Sequence, residues 1–96
     1  MKILALEKEV KKANPAGFQP YLADEAAKVY ELYLSDMIRE FYFHETDHTA
    51  VLMLECSDVN EAQKILDSLP LVKAGLITFE LIPLVPYSGF SRLFHA

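Results

Sequence analysis

The fold of this chain is decided by residues 69–87, LPLVKAGLITFELIPLVPY, which contain the end of the last predicted helix and the last predicted strand. Pro70 ends a helical pattern, and an apolar run from about Leu76 to Leu84 predicts a last strand that contains Pro83. Because proline has no N–H to donate to a neighbouring strand, Pro83 places this strand at an edge of the sheet. The earlier strands are therefore expected to lie on one side of it.

Three apolar runs earlier in the chain predict the other strands. They cover residues 3–6, 38–44 and 49–56, and the spacing of the last two is typical of a hairpin with a loop at 45–48. The third strand is apolar on both faces and the first is similar. We therefore place both in the centre of the sheet.

Two amphipathic patterns predict helices between the strands, and a polar stretch at 8–17 predicts a loop before the first helix. Pro20 suits the first helical position, where a missing N–H is tolerated. Asp58, with Glu61 three residues later, resembles a capping box that begins the second helix. The apolar face of the first helix is expected to consist of Leu22, Ala26, Val29 and Tyr33.

Together these elements predict an α+β chain with a ferredoxin-like βαββαβ sandwich. Its antiparallel sheet has the order 4-1-3-2, completed by right-handed crossovers. The 96 residues are expected to form a single domain, with a core at 1–86 and a C-terminal arm at 87–96.

The C-terminal arm is apolar although no element is predicted there. Exposing its aromatic side chains would create a patch that soluble monomers avoid. We therefore expect Phe90 and Phe94 to anchor the arm across a dimer interface.

Bulk composition argues against several classes of function. The net charge of −5 disfavours a nucleic-acid partner, because phosphate binding needs clustered Lys and Arg. No apolar run reaches the ~18 residues of a membrane span. The single cysteine, Cys56, suits a reducing compartment, so we expect a cytoplasmic protein. A hydrophobic content of 52% is high for so small a domain and favours a homodimer.

Because strand side chains alternate, the sheet is expected to have two unlike faces. The face against the helices is predicted to hold aromatic and leucine side chains, namely Leu4, Leu6, Phe41, Phe43, Leu52, Leu54, Phe79 and Leu81. The other face would gather Tyr42 and His44 with a glutamate from each strand, namely Glu7, Glu40, Glu55 and Glu80.

The stretch Ser68-Leu69-Pro70-Leu71, followed by Gly75-Leu76-Ile77-Thr78-Phe79-Glu80, resembles the muconolactone isomerase-like proteins of the dimeric α+β barrel superfamily. In those proteins a Leu-Pro-Leu turn follows the second helix and leads into the last strand. The resemblance spans the whole chain. It implies that the glutamate-bearing face meets a partner subunit, and that the activity, if isomerase-like or monooxygenase-like, needs no cofactor.

Residues His44-Glu45-Thr46-Asp47-His48 match the zinc motif H-E-x-x-H. That motif needs both histidines one turn apart on a helix, whereas these residues connect two predicted strands. A hairpin could bring His44 and His48 onto a metal, but a third ligand is not evident. We therefore expect no metal site.

The glutamate-bearing face is the predicted site of acid–base chemistry. His44 is expected to be the general acid or base, with Glu40 or Glu80 tuning it and Tyr42 orienting the substrate. Partly buried carboxylates of this kind have shifted pKa values. The alternative is that these carboxylates sit at strand ends, solvated or paired with Arg39, Lys2 or Arg92.

Tyr30 and Tyr33 on the first helix are candidates to line a substrate pocket, and Glu55 is a further candidate for substrate binding. Aromatic residues at helical spacing are also typical of a core. The sequence favours a small cofactor-free enzyme, of isomerase or monooxygenase type, that transfers a proton on a small hydrophobic or aromatic-derived ring compound. The alternative is a non-catalytic small-ligand-binding or stress-associated homodimer.

Overall fold

A four-stranded antiparallel sheet, covered on one face by helices, forms the framework of the computed structural model, which describes residues 1–10 and 15–94. The strands are β1 (Lys2–Glu9), β2 (Ile38–Phe43), β3 (Ala50–Glu55) and β4 (Ile77–Leu84). Their order across the sheet is β2-β3-β1-β4, which is the predicted order counted from the other edge. The ferredoxin-like fold class is therefore confirmed, with β4 and its Pro83 at an edge.

The opposite edge of the sheet is formed by β2, and its pairing with β3 is irregular. Ile38 lies opposite Leu54 and Glu40 opposite Met53, so one residue, Arg39, is extra on the outer strand. Such a bulge bends and twists the strand that carries it.

Two longer helices connect the strands, α2 (Leu22–Leu34) and α3 (Val59–Asp67). Helix α3 begins as predicted, because the carboxylate of Asp58 accepts a hydrogen bond from the Glu61 N–H at 2.8 Å. The Glu61 side chain in turn accepts one from the Ser57 N–H at 3.3 Å. Two N–H groups at the helix start, which have no partner within the helix, are thereby satisfied.

Before the last strand, the structure adds three short elements to the predicted order, namely α1 (Pro15–Phe18), a 3₁₀ helix (Gln19–Tyr21) and α4 (Pro70–Lys73). The predicted loop at 8–17 is wrong at both ends. Strand β1 continues to Glu9 because β4 runs alongside it and pairs Glu9 with Ile77. The part of the predicted loop at 11–14 lies outside the described residues.

The register of β1 decides which of its side chains enter the core. Ile3 lies opposite Leu54 and Ala5 opposite Leu52 in the pairing with β3. Directly opposed residues share a face of the sheet, and all four are buried on the side of the helices.

Leu4 and Leu6 consequently face away from the helices, and their predicted packing against them is wrong. Glu7, predicted on the open face, is turned toward the helices instead, because side chains alternate along a strand. The open face carries a partly exposed aliphatic patch made of Leu4, Leu6, Val51, Met53 and Ile82.

The two longer helices differ in how closely they pack on the sheet. Helix α3 buries Ala62, Ile65 and Leu66, whereas Leu32 is the one buried residue of α2, all of whose residues are described. Helix α2 therefore covers the sheet loosely. None of the helices formed by the described residues has the length and apolar character needed to cross a membrane.

The C-terminal arm forms a 3₁₀ helix at Gly89–Phe94, where no element was predicted. The Tyr87 ring packs edge-on against Phe90, yet Phe90, Leu93 and Phe94 remain 67%, 74% and 83% exposed. The radius of gyration is 15.8 Å, compared with about 12.5 Å expected for a compact domain of this length. The arm therefore projects from the domain.

The assignment of the two faces can be tested with neighbouring residues of β1. Ile3→Ala should lower the free energy of unfolding by about 2–5 kcal/mol, the usual range for truncating a buried isoleucine. Leu4→Ala should lower it by less, because this side chain is only partly buried. Urea denaturation of both variants in dilute solution measures the difference. A larger loss for Leu4→Ala would reverse the two faces.

Candidate active site

An open cleft lies between helix α2 and the sheet. The apolar stripe of α2 faces the strands as predicted, but it lines this cleft instead of a closed core. The cleft volume is about 820 Å³, and small-molecule sites usually have about 300–1,000 Å³. Its lining consists of Glu7, Phe18, Leu22, Glu25, Ala26, Val29, Tyr30, Tyr33, Phe41, Tyr42, Phe43, His48, Ala50, Leu52, Leu71 and Phe79.

Aromatic rings form much of the cleft wall. Tyr33 packs edge-on against Phe41, with ring centroids 5.2 Å apart and planes at 74°. Phe43 and His48 stack with centroids 4.2 Å apart and planes at 19°. Phe79, from β4, also lines the cleft and is buried. Because aromatic rings pack favourably on one another, these surfaces suit a small flat ring compound.

Glu7 brings a carboxyl group into the cleft from the central strand β1. Its Oε1 accepts a hydrogen bond from the Ala50 N–H at 3.0 Å. Partial burial raises the pKa of Glu7 above its ordinary value, and the negative charge of Glu9 adds to the increase. The Ala50 hydrogen bond and the charge of His48 lower the pKa and partly offset the increase. The net effect is an increase, so the side chain holds its proton more strongly than an exposed glutamate does.

Glu25 brings a second carboxyl group into the cleft, from α2. Its Oε1 accepts a hydrogen bond from the Leu71 N–H in α4 at 2.9 Å. Partial burial raises the pKa of Glu25, the Leu71 hydrogen bond partly offsets this, and the negative charge of Glu7 adds to the increase. Two carboxyl groups that disfavour each other's ionisation are suited to opposite roles, one as acid and one as base.

His48 reaches the cleft from the loop between β2 and β3. Its backbone has a φ of 56°, in the left-handed region that residues with a side chain rarely adopt. The His48 N–H donates a hydrogen bond to the His44 carbonyl at 2.9 Å. The imidazole ring thereby lies over Phe43 at the cleft.

The structure separates the predicted site residues into two groups. Tyr30 and Tyr33 line the cleft, whereas Glu40, Glu55, Glu80 and His44 do not. Tyr42 borders the cleft, but it lies opposite Val51 on the open face, where its hydroxyl contacts Glu40. Glu40, Glu55 and Glu80 lie on the open face as predicted, opposite Met53, Lys2 and Leu6, so among the predicted glutamates only Glu7 is on the other face.

Three of the predicted carboxylates have exposed partners. Glu40 accepts a hydrogen bond from the Tyr42 hydroxyl at 2.9 Å, which raises the pKa of Tyr42. Glu80 lies 3.6 Å from the Lys8 ammonium. Glu55 binds the N-terminal amine at 2.7 Å, and this hydrogen bond lowers the pKa of Glu55. The carboxylates are thus paired, as in the alternative, but their contacts are with Tyr42, Lys8 and the N-terminal amine instead of the expected Arg39, Lys2 or Arg92.

His44 stabilises the loop that it begins. Its Nδ1 accepts hydrogen bonds from the Thr46 and Asp47 N–H groups at 3.1 and 3.0 Å. The ring also borders a separate shallow depression of about 640 Å³, which Glu7 shares. The H-E-x-x-H match lies in a hairpin loop and not on a helix, and residues 1–10 and 15–94 contain no group of three or more metal-ligating side chains suitably placed.

Glu7, Glu25 and His48 were absent from the predicted site. Glu25 could have been found, because it lies three residues after Leu22 and four before Val29, on the apolar face of the helix. Predicting Glu7 would have required knowledge of the register of β1, and predicting His48 would have required knowledge of the loop conformation. Neither is encoded in a local pattern.

Fold and cleft together define a ferredoxin-like domain with an open cleft between its sheet and a helix. A structure of muconolactone isomerase has the same fold, with a TM-score of 0.74, 18% identity and 92% of each chain covered. The 5-chloro-2-hydroxyhydroquinone dehydrochlorinase of Burkholderia phenoliruptrix AC1100, solved with 2,5-dihydroxybenzoquinone, gives a TM-score of 0.63 at 20% identity. That match covers 93% of this chain and 98% of the other.

No family model and no curated protein matches the sequence. These two structures confirm the predicted resemblance for the fold alone.

The raised pKa of Glu25 predicts that Glu25→Gln stabilises the fold at neutral pH. A carboxyl group whose folded pKa is raised stabilises the fold fully below its unfolded pKa, and this contribution is lost as the pH rises through the folded value. Glutamine still accepts the Leu71 hydrogen bond but carries no charge. Thermal unfolding at pH 7 should show a higher midpoint for the variant, and the difference should shrink at about pH 4.

Glu31→Gln is the matched control on the same helix, because Glu31 is exposed and lies 3.2 Å from the Lys28 ammonium. It should leave the midpoint nearly unchanged at both pH values. A Glu25→Gln protein less stable than wild type at pH 7 would contradict the assignment of Glu25 as a desolvated carboxyl group.

Proposed function

We propose that this chain is a small cofactor-free enzyme that moves a proton on a small aromatic-derived compound bound in the cleft. The observation that carries the proposal is the pair of half-buried carboxyl groups, Glu7 and Glu25, in an otherwise apolar and aromatic cleft. Shifted carboxyl groups in a cleft are typical of acid–base sites.

The proposed chemistry needs the two carboxyl groups in different protonation states. Ionised Glu7 accepts a proton from the substrate and becomes neutral. Glu25, in the fraction of molecules in which it is protonated, gives its proton to a substrate oxygen and becomes ionised. The next steps return both protons, so the enzyme is regenerated. A pKa raised toward the working pH makes a carboxyl group a more effective proton donor and acceptor.

The comparisons support the class of substrate. By their names, one structural neighbour is an isomerase of muconolactone, and the other is a dehydrochlorinase of a chlorinated hydroxyhydroquinone. An aromatic cleft with two carboxyl groups suits compounds of that size that carry hydroxyl or carbonyl groups. Isomerase-type proton transfer is the form of the activity that this geometry supports best.

The sequence-based assignment remains a competing proposal for the same chemistry. It gives His44 the acid–base role, with Glu40 or Glu80 tuning it and Tyr42 orienting the substrate. That assignment needs a substrate bound on the open face of the sheet, or in the shallow depression next to His44.

Substitution at Glu7 separates the two assignments. Glu7→Gln should keep the Ala50 hydrogen bond and lower turnover by ~10²–10⁴, the usual range for loss of a general acid or base. His44→Ala should change turnover far less. A panel of small lactones and hydroxylated aromatic compounds supplies the substrate for steady-state kinetics. Glu31→Gln, which removes an exposed carboxyl group of α2, is the matched control.

Circular dichroism and thermal unfolding establish that each variant is folded before its rate is compared. Full activity of Glu7→Gln together with loss of activity in His44→Ala would transfer the acid–base role to His44.

A non-catalytic ligand-binding homodimer is the second candidate. The aliphatic patch on the open face of the sheet favours it, because a face of that kind serves association better than chemistry. This candidate predicts that compounds bind in the cleft without turnover.

The same patch supports the proposal that two copies of the chain pair through the open face. The arm supports it as well, since its aromatic side chains are exposed and project from the domain. Burying one such side chain on a partner contributes about 1.5–3 kcal/mol. We therefore propose that the arm crosses the interface of a homodimer, with Phe90 and Phe94 as anchors.

Deleting residues from Tyr87 onward should weaken the dimer without unfolding the domain, because the arm side chains are mostly exposed and the core lies elsewhere. Sedimentation velocity over a dilution series measures the dissociation constant. Phe90→Ala with Phe94→Ala should have a similar effect, whereas Ser91→Ala should have little. A truncated chain with an unchanged dissociation constant would show that the arm does not contribute.

A further inference from the structure

The charged groups that line the cleft between α2 and the sheet are acidic. Of the described residues that line it, Glu7 and Glu25 carry carboxyl groups, and none is a lysine or an arginine. The two carboxyl groups enter from different walls, Glu7 from β1 and Glu25 from α2. A compound bound in the cleft is therefore placed near two acidic side chains, and these lining residues offer it no lysine or arginine partner.

Negative charge is unfavourable in surroundings of this kind. Aromatic and aliphatic side chains form most of the lining, and partial burial raises the pKa of both Glu7 and Glu25. Burial has this effect because the charged form loses solvation by water. A carboxylate on a ligand would lose solvation in the same way, and the two glutamates would also repel it.

Uncharged hydrogen-bond donors suit the same two side chains. Oε1 of Glu7 accepts a hydrogen bond from the Ala50 N–H at 3.0 Å, and Oε1 of Glu25 accepts one from the Leu71 N–H at 2.9 Å. Because a carboxylate has about four acceptor positions, each group can accept a further bond from a ligand hydroxyl or amide. Hydrogen bonds to an ionised acceptor are stronger than those between neutral groups.

We propose that Glu7 and Glu25 make the cleft selective for the charge of its ligand. It binds small ring compounds that carry hydroxyl or amide donors, and it excludes analogues that carry a carboxylate or another anionic group. The inference rests on the proposed function, in which the cleft is the substrate site, and it adds that the substrate enters without a negative charge.

His48 is the described lining residue whose side chain can acquire a positive charge near neutral pH. A protonated imidazole would attract an anion and so reduce the selectivity. Binding is therefore best measured at about pH 7.5, above the midpoint of about 6.5 that histidine has in model peptides.

The experiment compares two compounds of nearly the same shape, 3-hydroxybenzamide and 3-hydroxybenzoate, of which the second is an anion at this pH. An NMR titration of the wild-type protein measures both dissociation constants, with the ring protons of Phe41 and Phe43 reporting on the cleft. We expect the amide to bind roughly tenfold or more tightly than the benzoate, because the two differ in one charge beside two carboxylates.

Substitution assigns the selectivity to the two glutamates. Glu7→Gln and Glu25→Gln each remove a charge and retain an amide oxygen that accepts the backbone N–H. Each should reduce the preference for the amide, and the double variant should nearly abolish it. Glu31→Gln, which removes an exposed carboxyl group on the same helix, is the matched control and should leave the preference unchanged.

Equal or tighter binding of the benzoate by the wild-type protein would overturn the inference. Binding of neither compound in the cleft, or a preference that persists in the folded single and double variants, would overturn it as well. A preference that the substitutions reduce supports it, even where Glu7→Gln retains full turnover of a substrate. In that last case the proposed function fails while the charge selectivity stands, so the two failures are distinguishable.

Discussion

The pairing of β1 between β3 and β4 is the constraint from which the cleft follows. Ala5 lies opposite Leu52 on one side and Leu81 on the other, so its neighbours along the strand have fixed faces. A slip of one residue would expose Ile3 and Ala5, both fully buried, and would turn Glu7 to the open face. Core packing at one end of the strand therefore fixes the position of a carboxyl group at the other end.

Helix α2 forms the other wall of the cleft because it packs loosely on the sheet. Leu32 is its one buried residue, and the rest of its apolar face lines the cleft. The hydrogen bond from the Leu71 N–H to Glu25 ties this helix to α4 at the end of the cleft. Partial burial of Glu7 and Glu25 disfavours their ionised forms and so lowers the stability of the fold at neutral pH. In each case one backbone hydrogen bond to the carboxylate partly offsets this loss.

The sequence was informative where the chemistry is local. The cap at Asp58, the edge strand with Pro83 and the hairpin strands all follow from neighbouring residues. The faces of β1 could not be predicted in this way, because Ile3-Leu4-Ala5-Leu6 is apolar throughout and shows no alternation.

Other features depend on contacts between distant parts of the chain. Glu55 finds the N-terminal amine 54 positions away in sequence, a partner that no spacing rule identifies. Pro70 was interpreted only as the end of a helix, although proline also suits the first turn of the next one, as in α4.

Both edges of the sheet carry features that hinder the addition of another strand. Pro83 withholds a hydrogen-bond donor on β4, and the bulge at Arg39 twists β2 away from a flat, pairable geometry. Edge-to-edge growth into extended sheets or fibrils is thereby disfavoured at either side. The homodimer that we propose would use the open face instead, where contact between two copies closes on itself and does not propagate.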